Sequence, residues 1–491
     1  MPPARLYPLT LPDARAMLAP TGGGGVVTVG LGRQHGLLLL VAVLILGSSG
    51  CLAPATPSPV SAPTPTPPPA ITPLQHDPIL PSPSPSPTPS PVEQPASLRS
   101  DSLALVPLEP SPSPTAQTTP APRPPATPTP AARRRLFAYY VPYDGTAWRS
   151  LAAYADQIDY LGVQWVTVDA CGRLSSQDDQ TLLAFARARG LAVLPSLLTL
   201  SGPLNHRLLT DPAVANRLID EIVAYVTAED YAGFDLDLEG IEPGDRPAYS
   251  AFVARLGAAL RARGKLLTLA VPAKTADVTT GWAGAYDYAA LGPHADLMTL
   301  MTYDYRGPWS GPGSIAPYDW VERVVRFAAS QLPAQKILIG LAFYGYDWNL
   351  TTGQTRSLHY RQATALAERY GVALTFDPLA RSVTFRYRAQ PTDPPPPQTS
   401  LPPPAHVIRR RTAPPCPVVV PSPTPSPPRP PRPTPTPAPF HDHVVWLEDS
   451  ASAAARLGLA DRYGAAGVAA WRLGQEDPRV WEVFRRWREA P

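Results

Sequence analysis

The chain has 491 residues, a formal net charge of +3 and 69 prolines. So small a net charge on this length leaves no basic footprint for nucleic acid. The prolines lie far above the average share and crowd into two tracts, so the sequence outside them is the size of one barrel-type domain rather than several.

The first element is an address. Arg33 and His35 precede an unbroken apolar run, Leu37–Leu46, which is followed by Gly47-Ser-Ser-Gly-Cys51. The run is too short for a bilayer span, which needs roughly twenty residues, and it suits a signal-peptide core. The small residues leading into Cys51 resemble a bacterial lipoprotein processing site, with Ser48 standing where such sites carry Leu, and Met17 is a second candidate start. Lipid attachment at Cys51, an ordinary cleaved signal and an uncleaved anchor all take the chain out of the cytoplasm. The expectation is an extracellular, surface-anchored protein, held to the membrane through its N-terminus. Residues 54–130 form a Pro/Ser/Thr tract, so 52–133 read as a disordered, solvated stalk. With Cys51 assigned to lipid, Cys171 and Cys416 remain, from which neither a disulfide framework nor a zinc spacing is expected. Stability is then expected to come from a large core.

From Arg135 onward, short apolar runs alternate with helical patterns. The expected strands are Leu136–Val141, Trp165–Asp169, Ala192–Leu198, Gly233–Glu239, Leu266–Val271, Leu297–Tyr303, Ile337–Phe343 and Val468–Trp471. Helical spacing falls between them, as at Asp211–Thr227, Arg246–Arg263, Trp320–Gln331 and Ser450–Tyr463. Eight strands alternating with helices predict an α/β fold, a (β/α)8 TIM barrel over 134–491, in preference to a doubly wound sheet.

The fourth strand holds the most informative residues. Asp235, Asp237 and Glu239 alternate with Phe234, Leu236 and Leu238, which sends all three carboxyls to one face. A solvated acidic face fits poorly in a parallel sheet, whose strands are covered on both sides. Crowded, buried carboxyls raise one another's proton affinity, a mark of a functional site. They also sit at a strand's C-terminal end, where barrels place their chemistry. Strand one opens onto Tyr139, Tyr140 and Tyr143, Met301-Thr-Tyr303-Asp304-Tyr305 ends strand six, Phe343-Tyr344-Gly-Tyr-Asp-Trp348 ends strand seven, and Trp471 ends strand eight. Flat aromatic faces around paired carboxylates are what a sugar-binding cleft needs.

Gly233-Phe-Asp-Leu-Asp-Leu-Glu239 resembles the D-G-x-D-x-D-x-E signature of glycoside hydrolase family 18, the chitinase-like enzymes. Met301–Tyr305 is similar to that family's strand-six motif, and Trp471 falls where its strand-eight tryptophan floors the sugar site. Leu341–Trp348, Val445–Asp449 and Gly467–Gly474 resemble the bacterial branch that includes spore-cortex and peptidoglycan N-acetylglucosaminidases. One departure is Ala232, which occupies the first acidic position of the signature.

The resemblance implies substrate-assisted catalysis, an exception to the two-carboxylate scheme. Glu239 is then the general acid, Asp237 orients the substrate's 2-acetamido group, Asp235 shares a proton with Asp237, and Tyr303 donates to the acetamido oxygen. Tyr139, Asp304, Tyr344 and Trp471 contact the sugar. The implied partner is an N-acetylglucosamine-containing polysaccharide, peptidoglycan or chitin-like, cleaved by a monomer with no cofactor and no metal. The alternative is a catalytically silent carbohydrate-binding barrel serving as a cell-wall module.

An insertion subdomain is expected at 349–448, with a helix over Tyr360–Tyr370 and strands at Ala373–Phe376, Ser382–Tyr387 and Val444–Glu448. The second proline tract, 392–439, is expected to interrupt it as a disordered loop, with Arg409–Arg411 as a solvated charge run.

Overall fold

The computed structural model describes residues 134–418 and 439–490; the leader with Cys51 and the stalk at 52–133 lie outside the described residues. The strands are β1 (Arg135–Tyr140), β2 (Tyr160–Val168), β3 (Leu174–Asp179), β4 (Ala192–Thr199), β5 (Gly233–Leu238), β6 (Leu266–Pro272), β7 (Leu297–Met301), β8 (Ile337–Ala342), β9 (Tyr344–Asn349), β10 (Thr355–His359), β11 (Thr375–Asp377), β12 (Ser382–Ala389), β13 (Ile408–Arg411), β14 (His441–Leu447) and β15 (Gly467–Trp471).

Eight of them run parallel in the order β1-β15-β8-β7-β6-β5-β4-β2, and β1 pairs with β2 to close the ring. The result is the expected (β/α)8 barrel. Its helices begin where the sequence offers a capping carboxylate or hydroxyl: Asp144, Ser201, Asp211 and Asp449 each accept a backbone N–H from the turn that follows. Inside the ring, Phe137, Tyr139, Leu194, Leu297, Leu338 and Ala469 form one apolar layer, with Ala232 and Trp471 packed against it. The position where the family signature carries its first acid is therefore part of an apolar floor.

A second sheet follows β8, and it starts earlier than the bounds expected for the insertion. The chain leaves β8 at Ala342, and Tyr344–Asn349 lies between β10 and β14 in this sheet, ordered β10-β9-β14-β12-β11. Tyr344 to Trp348 therefore belong to the insertion and do not extend the seventh barrel strand. The helix Tyr360–Arg369 covers one face of this sheet, burying Ala363, Leu366 and Ala367 with Leu358, Val383, Phe385 and Val445.

The expectation of a disordered loop over 392–439 fails for its first half. Ile408–Arg411 pairs antiparallel with β3, with Ile408 opposite Asp179 and Arg411 opposite Ser176. The physical reason lies in the local composition. His406–Thr412 contains no proline, so its N–H groups can join a ladder, and Val407 and Ile408 favour strand. Two of the three arginines are also paired, while Arg409 and Arg410 stay exposed as a solvated run would. Arg411 Nη2 lies 2.6 Å from Glu221, and Arg409 pairs with Glu229. The expectation that Cys171 and Cys416 stay unpaired is also corrected: they form a disulfide with Cα atoms 5.8 Å apart. The β3–β13 pairing draws together two cysteines that sequence spacing alone does not link. Residues 419–438 of the tract lie outside the described residues.

Candidate functional site

The carboxylate row stands on β5 as its alternation demands. Phe234, Leu236 and Leu238 are buried in the main apolar core, and Asp235, Asp237 and Glu239 face the barrel interior. Register supplies Asp235 with its partners. Ser196 on β4 and Thr268 on β6 are both level with it, and their hydroxyls donate to Asp235 Oδ2 at 2.7 Å and Oδ1 at 2.5 Å. Burial pushes the Asp235 carboxyl up to about 6, against the lowering effect of these hydrogen bonds.

Asp237 is buried, and its Oδ1 has no hydrogen-bond partner. Burial first, then the neighbouring charges of Glu239 and Asp235, raises its carboxyl well above the usual range. Glu239 closes the row half-buried at the mouth of the barrel. Its backbone N–H donates to Thr199 O at 2.8 Å, and its carbonyl accepts from Asn205 Nδ2 at 2.6 Å. Gly240 follows with φ of 70°, so the chain turns away immediately after the carboxyl in a conformation that favours glycine. Burial, then repulsion from Asp304, pushes Glu239 up to about 7. A carboxylic acid that keeps its proton near neutrality can donate it to a leaving group.

The aromatic residues divide by strand parity. Tyr139 faces inward beside the carboxylates, 2% exposed and with its hydroxyl unpartnered, while Tyr140 points into the main core. Trp471 packs on Tyr139 with ring centroids 5.3 Å apart, and the peptide joining Trp471 to Arg472 is cis. Arg472 is itself held by Asp144, 3.1 Å away. Tyr303 lies edge-on to Tyr344 at 6.2 Å. Gly340 on β8 makes room for it, since a Cβ there would stand 2.9 Å from the Tyr303 ring and 2.4 Å from Leu300 O. Asp304 has φ of 57° and accepts the hydroxyls of Tyr344 at 2.6 Å and Tyr346 at 3.1 Å. Burial pushes Asp304 up to about 6.

Asp235, Asp237, Glu239, Tyr303, Asp304, Tyr139, Tyr344 and Trp471 thus neighbour one another towards the carboxyl ends of the barrel strands. The sequence reading passed over Ser196, Thr268, Asn205 and Tyr346. The first two were detectable as polar residues inside largely apolar strands. Asn205 carries no such signal, because its partner is a backbone carbonyl reached only in the fold. Among the described residues, Asp169, Cys171 and Cys416 bring ligand-type atoms together, but both cysteine sulfurs are spent in the disulfide.

A row of protonatable carboxyls floored by tryptophan and lined by tyrosines defines a carbohydrate-processing barrel. The sequence profile of "Glycosyl hydrolases family 18" matches residues 135–476, and the chain belongs to that family: it is a glycoside hydrolase. It is 25% identical over 356 residues to the uncharacterized glycosylase YvbX of Bacillus subtilis, spanning 71% of this chain and 90% of that protein. It is 28% identical over 286 residues to the cortical fragment-lytic enzyme of the same organism, spanning 57% of this chain and 55% of that protein. Among solved structures, a chitinase from Chromobacterium violaceum superimposes with a TM-score of 0.59 at 26% identity, covering 73% of this chain and all of that one (100%).

Proposed function

We propose that the protein is a retaining, substrate-assisted β-N-acetylglucosaminidase acting on peptidoglycan or a chitin-like polymer at the cell surface. The observation that carries this reading is the unpartnered, buried Oδ1 of Asp237 beside Glu239. A buried acceptor without a donor costs about 1–3 kcal/mol, and an acetamido N–H would satisfy it. Glu239 gives its proton to the glycosidic oxygen as the C1–O bond breaks. The acetamido oxygen bonds to C1 on the opposite face, and Asp237 stabilises the positive charge this leaves on the acetamido nitrogen. Asp235 shares a proton with Asp237, and Tyr303 donates to the acetamido oxygen. Trp471 lies beneath the ring, and Tyr139, Asp304 and Tyr344 line its sides. Water, deprotonated by Glu239, then attacks C1 and releases the acetamido oxygen. Two inversions give net retention.

The Cys171–Cys416 disulfide supports an oxidising, extracytoplasmic location. With Cys51 carrying lipid and 52–133 as a stalk, the enzyme would act as a tethered monomer. Mass spectrometry of the mature N-terminus checks that part. The catalytic reading is tested with Glu239→Gln on N-acetylated and fully deacetylated oligomers, chitin and purified sacculi. The expected result is cleavage of acetylated substrates only, by the wild type only. Hydrolysis of deacetylated oligomers, or a fully active variant, would sink the proposal.

A further inference from the structure

The second sheet reaches the site through its own side chains. Along β9, Tyr344, Tyr346 and Trp348 lie at alternate positions and so share one face. All three engage the turn that leaves β7. The two tyrosine hydroxyls donate to Asp304 Oδ1 at 2.6 and 3.1 Å, and Trp348 Nε1 donates to Gly307 O at 3.4 Å. Their rings pack edge to face in series, at 5.8 Å between Tyr344 and Tyr346 and 5.7 Å between Tyr346 and Trp348. Tyr346 is 1% exposed, so no sugar can reach it, and its hydroxyl is spent on Asp304. Both bonds fall on one oxygen, and Asp304 is held in a left-handed conformation that few residues adopt.

We propose that Tyr346, acting with Tyr344, is a positioning residue that fixes Asp304 as an oriented anion at the carboxyl end of β7 and acts through it on Glu239. The inference rests on the reading of Glu239 as general acid. Two hydroxyl donors favour the ionised form of Asp304, and the charge on Asp304 is what Glu239 responds to after burial. Removing a donor makes Asp304 easier to protonate, which relieves the repulsion on Glu239 and lowers its proton affinity. The other groups facing this pair are Asp235 and Asp237 from β5, Tyr303 beside Asp304, Tyr286 from the segment after β6, and Tyr139 from β1. Arg306, two residues beyond Asp304, is exposed. None of these bonds to Asp304 Oδ1, so the two tyrosines are its direct controls. In consequence, the insertion sheet carries part of the protonation machinery of a barrel it does not belong to.

The experiment measures kcat and KM against pH for Tyr346→Phe, Tyr344→Phe, Asp304→Asn and the double variant Tyr346→Phe/Asp304→Asn, on an N-acetylglucosamine oligomer. In Tyr346→Phe the alkaline limb of kcat/KM should move to lower pH by about half a unit, roughly a threefold loss of activity above neutrality, with KM little changed. Tyr346→Phe should add nothing to that limb once Asp304 is Asn. A limb that stays in place while melting curves report a native fold would overturn the proposal, as would full additivity in the double variant. If Tyr346→Phe fails to fold, Tyr344→Phe carries the same test through the shorter bond. A fully active Glu239→Gln would instead bring down the general-acid reading, so the two failures are distinguishable.

Discussion

Cys171, in the turn between β2 and β3, is joined by a disulfide to Cys416 in the second proline tract, 245 residues away in sequence. The bond completes a strap. Leu401 O accepts the Gly145 N–H at 3.0 Å, His406 Nδ1 meets Asp179 at 2.6 Å, β13 pairs with β3, and Arg173 Nη1 donates to the carbonyls of Pro414 and Pro415. The insertion is thereby fastened to the segments that follow β1 and β2.

Breaking that fastening should cost stability. Cys416→Ser, or reduction of the wild type, is expected to lower unfolding free energy by about 2–4 kcal/mol, as for other long loops. Trypsin should then cut at Arg409–Arg411, which the intact strand shields. Denaturant melts with and without reductant check the first point and timed digestion the second. Equal stability of oxidised and reduced protein would mean that the strap contributes nothing beyond its hydrogen bonds.

Activity should carry an alkaline limb. Glu239 is held up to about 7 and must be protonated to act as an acid, so kcat/KM is expected to fall as pH rises through that value. Glu239→Gln should reduce turnover by roughly 10²–10⁴-fold with sugar affinity largely retained. A pH–rate series on the free oligomer and a binding titration of the variant are the measurements.

The same carboxyls should weaken the fold at high pH. A group whose folded value is raised stabilises fully below its unfolded value and loses that contribution as pH rises through the folded one. For Glu239 the window runs from 4.5 to about 7, and Asp237 is shifted in the same direction. Asp237→Asn and Glu239→Gln should therefore gain stability over wild type on the order of 1 kcal/mol at pH 8, and the difference should shrink towards pH 4. Melting temperatures across that range decide it.

Arg456 and Glu448 form a buried pair, 2.8 Å apart, and Arg456 also donates to the carbonyl of Arg381 at 2.6 Å. Ser382 donates to the other carboxylate oxygen of Glu448 at 2.6 Å. Together they join the helix Ser450–Tyr463 to the insertion sheet. Arg456→Met should strand Glu448 and cost about 3–5 kcal/mol, whereas the paired change Arg456→Met/Glu448→Leu should recover most of the loss. A double-mutant cycle in denaturant measures the coupling.

Gly340→Ala should perturb the site from beneath. The added methyl meets Leu300 O at 2.4 Å and the Tyr303 ring at 2.9 Å. Backbone cannot yield easily, so the variant is expected to lose roughly 1–3 kcal/mol and to bind N-acetylated oligomers more weakly through a displaced Tyr303. Unchanged affinity would remove Tyr303 from the binding surface.

Local pattern alone determined the barrel and the heart of its site. Strand periodicity of two depends only on neighbouring residues, so the eight-strand alternation and the inward row Asp235–Asp237–Glu239 were legible in the chain. Proline-dense composition likewise marked the two tracts. Tertiary structure decided everything that depends on register between distant segments. Ser196 and Thr268 become partners of Asp235 because strand pairing sets them level with it. Tyr346 reaches Asp304 because the chain turns at Phe343 into a second sheet, which no local pattern signals. Cys171 finds Cys416 because β13 pairs with β3 across more than two hundred residues. Contacts of that kind are set by long-range pairing, where a single proline-free stretch such as His406–Thr412 outweighs the composition around it.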